Sequence, residues 1–336
     1  MSTSPIFVVG PPRSGTTLTA TILGRHSRIF MGGENHFFEE VFSRRRELGE
    51  PSDPVAFERI LGRLSTIYGR HNQIADQERM DRLLSDPRLR ARLQSCNSYP
   101  ELLTRFMEMQ FPGTGKVRWG NNTPKDIFHV REILSFYQDA KFLVCVRDVR
   151  DYLLSYKNQW KAKTPEQLER LQKLYHPMVT SLVWKSTIKR IRTVQRLVPR
   201  ENFMIVRYET LATDAENTVR DMCRVVGEPY EANMLNVDTH NSSHEKSETG
   251  IFSTSIGAWR TGLDNDEAYL AQRMNQVELE QLGYQFEEIP VRFRDCAKFL
   301  LTFPAALRRA LAANSRHRGP FLPYLNKRVK ALLRGS

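Results

Sequence analysis

The sequence predicts an α/β fold in which a mainly parallel sheet is flanked by helices. Three short apolar runs carry this prediction, each followed by polar residues and then a helical pattern: Ile6–Val9, Lys141–Val146 and Asn202–Val206. Alternation of buried strands with helices is typical of βαβ units, whose crossovers make the sheet parallel. The 336 residues suffice for one large core.

Helices are predicted after each strand. The first begins near Leu18–Leu23, and the later ones occupy Asp151–Trp160 and Thr210–Val226, the last with Thr210 as its cap. Residues 41–115 form a helical insertion, because apolar positions recur there at helical spacing. They include Ile60, Leu61, Leu64 and Ile67. The insertion is either structural or a wall or lid of an acceptor site.

Composition favours a globular cytoplasmic protein. Hydrophobic residues make up 40% of the chain and charged residues 26%. The four cysteines are far apart and form no C-x-x-C pair, so neither a disulfide framework nor a zinc site is predicted. No secretion signal is visible. The longest apolar candidate for a membrane span, Cys296–Ala313, is interrupted by charges and Pro304.

The positive charge is concentrated at the end of the chain. Residues 291–336 contain eleven Lys and Arg and one acid, so they carry +10 of the net +12. Residues 1–290 are nearly neutral, which argues against nucleic-acid binding. We therefore divide the chain into a main domain, 1–290, and a basic amphipathic segment, 291–336. This segment either contacts an anionic membrane surface or packs on the main domain.

A glycine-containing turn after the first strand predicts an anion site. Gly10 and Gly15 have the spacing of a nucleotide-triphosphate loop, but Thr16 stands where such loops have lysine. Arg13 supplies a positive charge, and the hydroxyl donors are Ser14, Thr16 and Thr17. Backbone N–H groups at a helix N-terminus add to this site. The set suits a phosphosulfate ester bound without a metal.

A second anion site is predicted at the end of a later strand. Arg147 follows the strand Lys141–Val146, and Ser155 lies eight residues on, in the next helix. A guanidinium and a hydroxyl that converge would hold a phosphate dianion. Alone, an Arg-Asp pair after a strand is more typical of a surface ion pair. Arg150 is a weaker candidate contact.

The stretch Pro11–Leu18 resembles the 5′-phosphosulfate-binding loop of the sulfotransferase family that uses 3′-phosphoadenosine-5′-phosphosulfate (PAPS). The resemblance implies a P-loop-like fold and 3′-phosphoadenosine-5′-phosphate (PAP) as product, with no metal. Arg13, Ser14, Gly15, Thr16 and Thr17 would cradle the 5′-phosphate and the departing sulfate. Arg147 and Ser155 would contact the 3′-phosphate.

Two later elements also resemble nucleotide contacts of this family. Tyr208 follows the strand Asn202–Val206, although a half-buried aromatic residue without a contact is equally compatible with that position. The stretch Ser255–Arg260 resembles the loop that closes over the nucleotide, where Arg260 would add positive charge.

Glu34 is the candidate general base. It lies twenty-one residues after Arg13 and resembles the catalytic glutamate of the tyrosylprotein-type branch of the family. His36 is the alternative, because other branches use histidine. Asn122 departs from the family pattern, since a lysine that binds the sulfuryl oxygens is expected there. Lys125 or Lys116 is predicted to replace it.

These features together predict transfer of a sulfuryl group from PAPS to a hydroxyl, in an acceptor that is a lipid or a lipid-linked glycan. Two other functions remain open. A kinase-like phosphotransferase would need magnesium and a lysine at position 16. A module that binds PAP or PAPS with weak turnover would fit the loss of lysine at Asn122. His240 and His244 are predicted to be loop residues rather than zinc ligands.

Overall fold

Five parallel strands form one sheet in the order β2-β3-β1-β4-β5. The computed structural model describes residues 4–71, 74–158, 174–237 and 250–318. The strands are β1 (Ile6–Val9), β2 (Ile29–Gly32), β3 (Arg118–Asn122), β4 (Lys141–Val146) and β5 (Phe203–Arg207). The predicted parallel α/β sheet is confirmed.

β1 and the neighbouring strand β4 are apolar apart from Lys141, which explains why they were predicted as apolar runs in the sequence. β1 and β4 pair directly, with Ile6 opposite Lys141 and Val9 opposite Val144. Their side chains alternate between two cores. Phe7 and Val144 point into the larger one, and Val8 and Leu143 into the smaller one beneath α1. Such burial on both faces is typical of parallel sheets.

Helices cover both faces of the sheet and surround its edges. Their bounds are α1 (Thr16–Arg25), α2 (Arg45–Leu48), α3 (Pro54–His71), α4 (Ile74–Ser85), α5 (Pro87–Gln94), α6 (Tyr99–Glu108), α7 (Val130–Phe136), α8 (Val149–Asn158), α9 (Pro177–Ile188), α10 (Ile191–Leu197), α11 (Tyr208–Thr213), α12 (Ala215–Val226), α13 (Trp259–Gly262), α14 (Asn265–Met274), α15 (Gln276–Gln281) and α16 (Phe293–Arg318).

Two predicted helix boundaries need correction. The helix expected over Thr210–Val226 is two helices, α11 and α12, and Thr210 lies inside the first rather than capping it. The break occurs at Asp214, whose φ of −138° and ψ of 64° are not helical. Its carboxylate accepts hydrogen bonds from the Asn217 amide, and such local side-chain bonding competes with helix continuation. The predicted end of α8 at Trp160 lies outside the described residues.

The described part of residues 41–115 is helical and lies against the larger core. Ile60, Leu61, Leu64 and Ile67, which were identified by helical spacing, are all buried. They pack in the same core as Phe37 and Phe38, which follow the loop after β2. The insertion thus supports the segment that carries the candidate base.

The long helix α16 packs one side on the body of the protein. Cys296 and Ala306 are buried, and Phe299 and Phe303 contact the His176 ring just before α9. The part of the basic segment that forms α16 therefore packs on the main domain. The predicted second apolar pattern, Leu322 to Leu333, lies outside the described residues. Among the described helices, none is long and apolar enough to cross a bilayer.

Candidate active site

The predicted site residues meet at the carboxyl edge of the sheet. The loops that follow β1, β2, β3 and β4 all emerge at this edge, as does the start of α11 after β5. The backbone N–H of Gly10 donates to the Pro124 carbonyl, 3.1 Å away, and this bond fastens the first loop to the segment after β3. Ligands of open α/β sheets bind in such a crevice.

The loop between β1 and α1 needs glycine at both ends. Gly10 has a φ of 138°, and a Cβ atom there would lie 2.2 Å from the Cys145 carbonyl oxygen. Gly15 has a φ of 89° and lies against the Tyr208 ring. Between them Arg13 adopts a left-handed φ of 71°, which is strained for a residue with a Cβ atom. The Ser14 hydroxyl is buried without a hydrogen-bond partner, as expected of a group that awaits a ligand.

Arg13 joins the two predicted anion elements. Its Nε donates to the Ser155 hydroxyl at 3.1 Å, and its carbonyl lies 3.5 Å from Nη1 of Arg147. Burial lowers the pKa of Arg13; nearby Tyr156 opposes this shift and Arg147 adds to it. Arg147 Nε is buried without a partner. Two arginine side chains that share a largely buried part of the protein favour an anionic ligand between them.

Tyr208 and the stretch Ser255–Arg260, here called the late loop, hold Arg147 in place. The Arg147 guanidinium lies 4.5 Å above the Tyr208 ring, and its Nη2 donates to the Ser255 carbonyl at 2.9 Å. The Tyr208 and Ser255 hydroxyls lie 2.7 Å apart. Tyr208 thus contacts the predicted site, while its side chain is partly buried.

Asp151 anchors the late loop, a role that was not predicted from the sequence. Its carboxylate accepts the backbone N–H groups of Gly257 at 2.7 Å and Trp259 at 3.0 Å. Burial raises the pKa of Asp151 to about 6, against the opposing effect of Arg147 and the two backbone hydrogen bonds. The residue lies one turn before Ser155 on α8. That helical spacing is the signal that could have identified it.

Replacing Asp151 by asparagine should weaken PAP binding by about 10-fold or more, because a lost hydrogen bond to a charged group costs about 1.5–3 kcal/mol. The amide has one acceptor oxygen, so either Gly257 or Trp259 loses its partner, and the Ser255 carbonyl then holds Arg147 less firmly. Calorimetric titration with PAP measures this. An unchanged PAP affinity would show that the loop is held by other contacts.

Glu34 and His36 form one unit rather than two alternatives. His36 Nε2 lies 3.0 Å from Glu34 Oε2, and Nδ1 lies 3.4 Å from Glu39. The Lys125 ammonium lies 3.7 Å from the same Glu39 carboxylate. The Glu34 side chain is 34% exposed and that of His36 only 3%, so Glu34 is the member that a substrate can reach.

His36 is buried beside two carboxylates, Glu34 and Glu39. Burial lowers its pKa, but hydrogen bonds with Glu34 and Glu39 outweigh this and raise the pKa above its usual range. Its backbone has a left-handed φ of 44°, so the loop is shaped to place the ring. The ring orients Glu34 through the contact at Nε2.

A buried carboxyl group lies beneath this unit. Burial raises the pKa of Asp126 to about 8; His36 lowers it, while Glu39 and Glu34 raise it. The Asn121 amide donates to Asp126 at 2.7 Å and its oxygen accepts from Thr123. Asp126 is therefore largely protonated at pH 7, and this chain of bonds supports the loop that carries Glu34.

Asp126 should make the protein less stable as pH rises. The folded state retains its proton up to about pH 8, whereas the unfolded chain releases it near pH 4. Stability therefore falls between these values, by up to ~1.4 kcal/mol per pH unit. Asp126→Asn should remove this slope, so that the variant gains over the wild type from pH 5 to pH 8 in denaturant unfolding. Parallel stability curves would contradict this assignment.

One group in the described part of the chain has the geometry of metal ligands. Side-chain atoms of His36, Glu39 and Glu40 lie within 4.8 Å of one another. However, Arg63 pairs with Glu40 at 2.7 Å and Lys125 lies beside Glu39. These cations already balance the carboxylates, so we interpret the group as an ion-pair cluster. His240 and His244 lie outside the described residues.

Two other predicted residues are engaged elsewhere. Lys116 cannot reach the site as predicted, because its ammonium donates to the carbonyls of Gly24, His26 and Ile29 at the opposite edge of the sheet. Arg150 is buried against Asp148 and the Trp259 ring, which makes it a structural residue.

Arg260 lies at the surface of the protein, whereas Asn122 is buried. The Arg260 guanidinium is exposed and bonded to Glu287, over the loop that Asp151 holds. Asn122 is at the end of β3, and its Oδ1 is buried without a partner. Asn122 is thus available to a ligand, as a neutral group.

The sequence of this chain matches one protein family, the sulfotransferase family. The family's sequence profile matches residues 5–232, which is more than half of the chain. The protein belongs to the sulfotransferase family.

Solved structures agree with this fold. The sulfotransferase domain of the Synechococcus PCC 7002 olefin synthase has a TM-score of 0.51 and 17% identity, over 85% of this chain and 98% of that domain. The sulfotransferase domain from the curacin biosynthetic pathway has a TM-score of 0.52 and 18% identity, over 85% of this chain and 99% of that domain. At such identities the likeness establishes the fold alone.

Similarity to curated proteins is confined to short stretches. A 96-residue stretch is 28% identical to a 3-beta-hydroxysteroid sulfotransferase of Cavia porcellus, and it covers 27% of this chain and 33% of that protein. A 40-residue stretch is 55% identical to an uncharacterized protein of Aquifex aeolicus (strain VF5), over 12% and 5% of the two chains. The matches thus span one third or less of these relatives.

Proposed function

We propose that the protein transfers a sulfuryl group from PAPS to a hydroxyl of a lipid or lipid-linked glycan. The observation that carries the choice of donor is that Arg147 Nη1 donates to the Arg13 carbonyl while two buried groups of these segments, the Ser14 hydroxyl and Arg147 Nε, have no hydrogen-bond partner. An anionic nucleotide would satisfy both groups. Two cations also match the two phosphate groups of PAP.

In the proposed mechanism Glu34 removes the proton of the acceptor hydroxyl. The hydroxyl oxygen forms a bond to sulfur as the bond between sulfur and the 5′-phosphate oxygen breaks, and that electron pair stays on the leaving PAP. Arg13 and the N–H groups of its loop stabilise the charge on the leaving phosphate. Arg147 and Ser155 hold the 3′-phosphate. His36 keeps Glu34 oriented, and Lys125 supports His36 through Glu39.

A kinase-like activity fits these residues less well. Thr16 occupies the position where a triphosphate loop has its lysine. A binding module without turnover would not need a solvent-reachable carboxylate bonded to a buried imidazole, and Glu34 provides one. We therefore favour an active transferase.

The activity itself is tested with labelled donor. Purified protein is incubated with PAPS carrying labelled sulfate and with separate lipid and glycan extracts, and the sulfated product is identified by mass spectrometry. We expect a labelled lipid-linked product that depends on protein and does not form with Glu34→Gln. Label transfer to neither extract, with PAP bound normally, would favour the binding module.

We propose further that α16 contacts an anionic membrane surface, which suits a lipid acceptor. The side opposite its buried face carries Leu301, 82% exposed, with Arg294 and Arg308 seven residues before and after it. Residues seven apart lie on one face of a helix. An exposed leucine between arginines is typical of helices that lie on anionic bilayers.

Leu301→Asp should reduce co-sedimentation with vesicles that contain phosphatidylserine by about 10-fold. The substitution removes the apolar side chain that would insert into the bilayer, and it places a negative charge against the negatively charged lipid surface. Val277→Asp is the matched control, since Val277 is 54% exposed on α15. Equal vesicle binding by the wild type and the Leu301 variant would contradict membrane contact through α16.

A further inference from the structure

The connection between β4 and α8 carries Arg147, the proposed contact of the 3′-phosphate. The register of β4 and β5 ends with Val146 opposite Arg207, and α8 begins at Val149. The peptide group that joins Arg147 to Asp148 therefore lies beyond the paired strands and before the helix. Both residues are buried. A buried peptide group needs hydrogen-bond partners, and here they must come from other parts of the chain.

Two side chains bind this peptide group. The indole Nε1–H of Trp184 donates to the Arg147 carbonyl oxygen at 3.0 Å, and the Glu209 carboxylate accepts the Asp148 N–H at 2.9 Å. The C=O and N–H of a trans peptide point in opposite directions, so Trp184 and Glu209 hold the peptide plane between them. The bond to Glu209 involves a charged acceptor and is the stronger type. The orientation of this plane sets the direction in which the Arg147 side chain leaves the backbone.

Glu209 is itself fixed by a second hydrogen bond. Its other carboxylate oxygen accepts from the Tyr284 hydroxyl at 2.9 Å, and the Tyr284 ring lies 4.3 Å below the Arg207 guanidinium. Glu209 also follows Tyr208, whose ring lies against the Arg147 guanidinium. The segment after β5 thus contacts Arg147 twice, at the guanidinium through Tyr208 and at the backbone through Glu209.

We propose that Glu209 and Trp184 are positioning residues that set the specificity for the 3′-phosphate of the donor. By fixing the peptide group after Arg147, they aim its guanidinium at that phosphate, whose recognition depends on the geometry of the guanidinium. The site then prefers PAPS over adenosine-5′-phosphosulfate, which lacks the 3′-phosphate. Both residues act through Arg147 rather than on the reacting atoms. This inference rests on the proposed use of PAPS.

The test is the ratio of PAP affinity to AMP affinity in Glu209→Ala, measured by calorimetry. The substitution removes both carboxylate oxygens. We expect PAP affinity to fall by about 10-fold and AMP affinity to stay within about twofold, because AMP has no 3′-phosphate for Arg147 to bind. Glu209→Gln should keep most of the PAP affinity, since its amide oxygen can still accept the Asp148 N–H.

The matched control is Glu231→Ala. Glu231 is also half-buried and also accepts one backbone N–H and one hydroxyl, both from Ser27, at the opposite edge of the sheet. The same chemical loss there should leave the ratio unchanged. Trp184→Phe tests the other side of the peptide group and serves if Glu209→Ala does not fold. It keeps an aromatic ring without the N–H donor, and we expect the ratio to fall by about fivefold.

The outcomes separate positioning from general stability. An unchanged ratio in both Glu209→Ala and Trp184→Phe would overturn the positioning role, and so would an equal fall in PAP and AMP affinity, which is the effect of a loosened fold. A wild-type protein that binds AMP as tightly as PAP would instead overturn the proposed use of PAPS.

Discussion

Replacing Glu34 by glutamine is expected to lower the rate of sulfuryl transfer by about 10²- to 10⁴-fold. The amide has the shape of the carboxylate and its oxygen can still accept from His36 Nε2, but it cannot take the acceptor proton. PAP affinity should be unchanged, because Glu34 belongs to the acceptor side of the site. Single-turnover assays at saturating PAPS, with calorimetry for PAP, measure the two quantities separately.

The control for Glu34→Gln is Glu47→Gln. Glu47 is an exposed glutamate paired with Arg44 on the surface, so the same chemical change there should leave the transfer rate unaltered. His36→Gln should lower the rate less than Glu34→Gln does, since His36 acts through Glu34. If Glu34→Gln retained activity and His36→Gln abolished it, the histidine would be the base.

Replacing Arg13 by glycine is the second change with a large expected effect. Glycine adopts the left-handed φ of 71° without strain, so the loop should keep its course while the guanidinium is lost. We expect the transfer rate to fall by about 10²- to 10³-fold, the usual cost of removing one donor to a developing oxyanion. Single-turnover rates with PAPS measure the loss.

Arg13→Lys and a melting curve complete this experiment. Lysine keeps the charge but lacks the Nε–H that Arg13 donates to Ser155, so an intermediate rate is expected. The melting temperature of Arg13→Gly should equal or exceed that of the wild type, because backbone strain is relieved. A slow variant that also melts early would mean that Arg13 holds the fold rather than the leaving group.

The sequence predicted the central strands well because burial on both faces leaves an uninterrupted apolar run. Ile6–Val9 and Lys141–Val146 match the structure at both ends. The inner strand β3 carries Trp119 and two asparagines and has no such signature. Its place in the sheet follows from tertiary pairing with β1 and β2, which no local pattern encodes.

The candidate site was predicted in part. The short motif around Arg13 indicated an anion loop, because few arrangements of glycine and hydroxyl residues shape a turn for phosphate. The role of Asp151 depends on Gly257 and Trp259, more than a hundred residues away, so its spacing from Ser155 on α8 was the one local signal for it. Glu34 and His36 were separate candidates until the left-handed backbone at His36 brought the two side chains together.

The proposed function requires the site to bind PAP through two separate anion elements. Calorimetry with PAP and with AMP, which lacks the 3′-phosphate, tests it most directly, with magnesium absent and then present. We expect PAP to bind about 100-fold more tightly than AMP through Arg147 and Ser155, with no effect of magnesium. Equal affinities for PAP and AMP, or tighter binding of ATP with magnesium, would contradict the account.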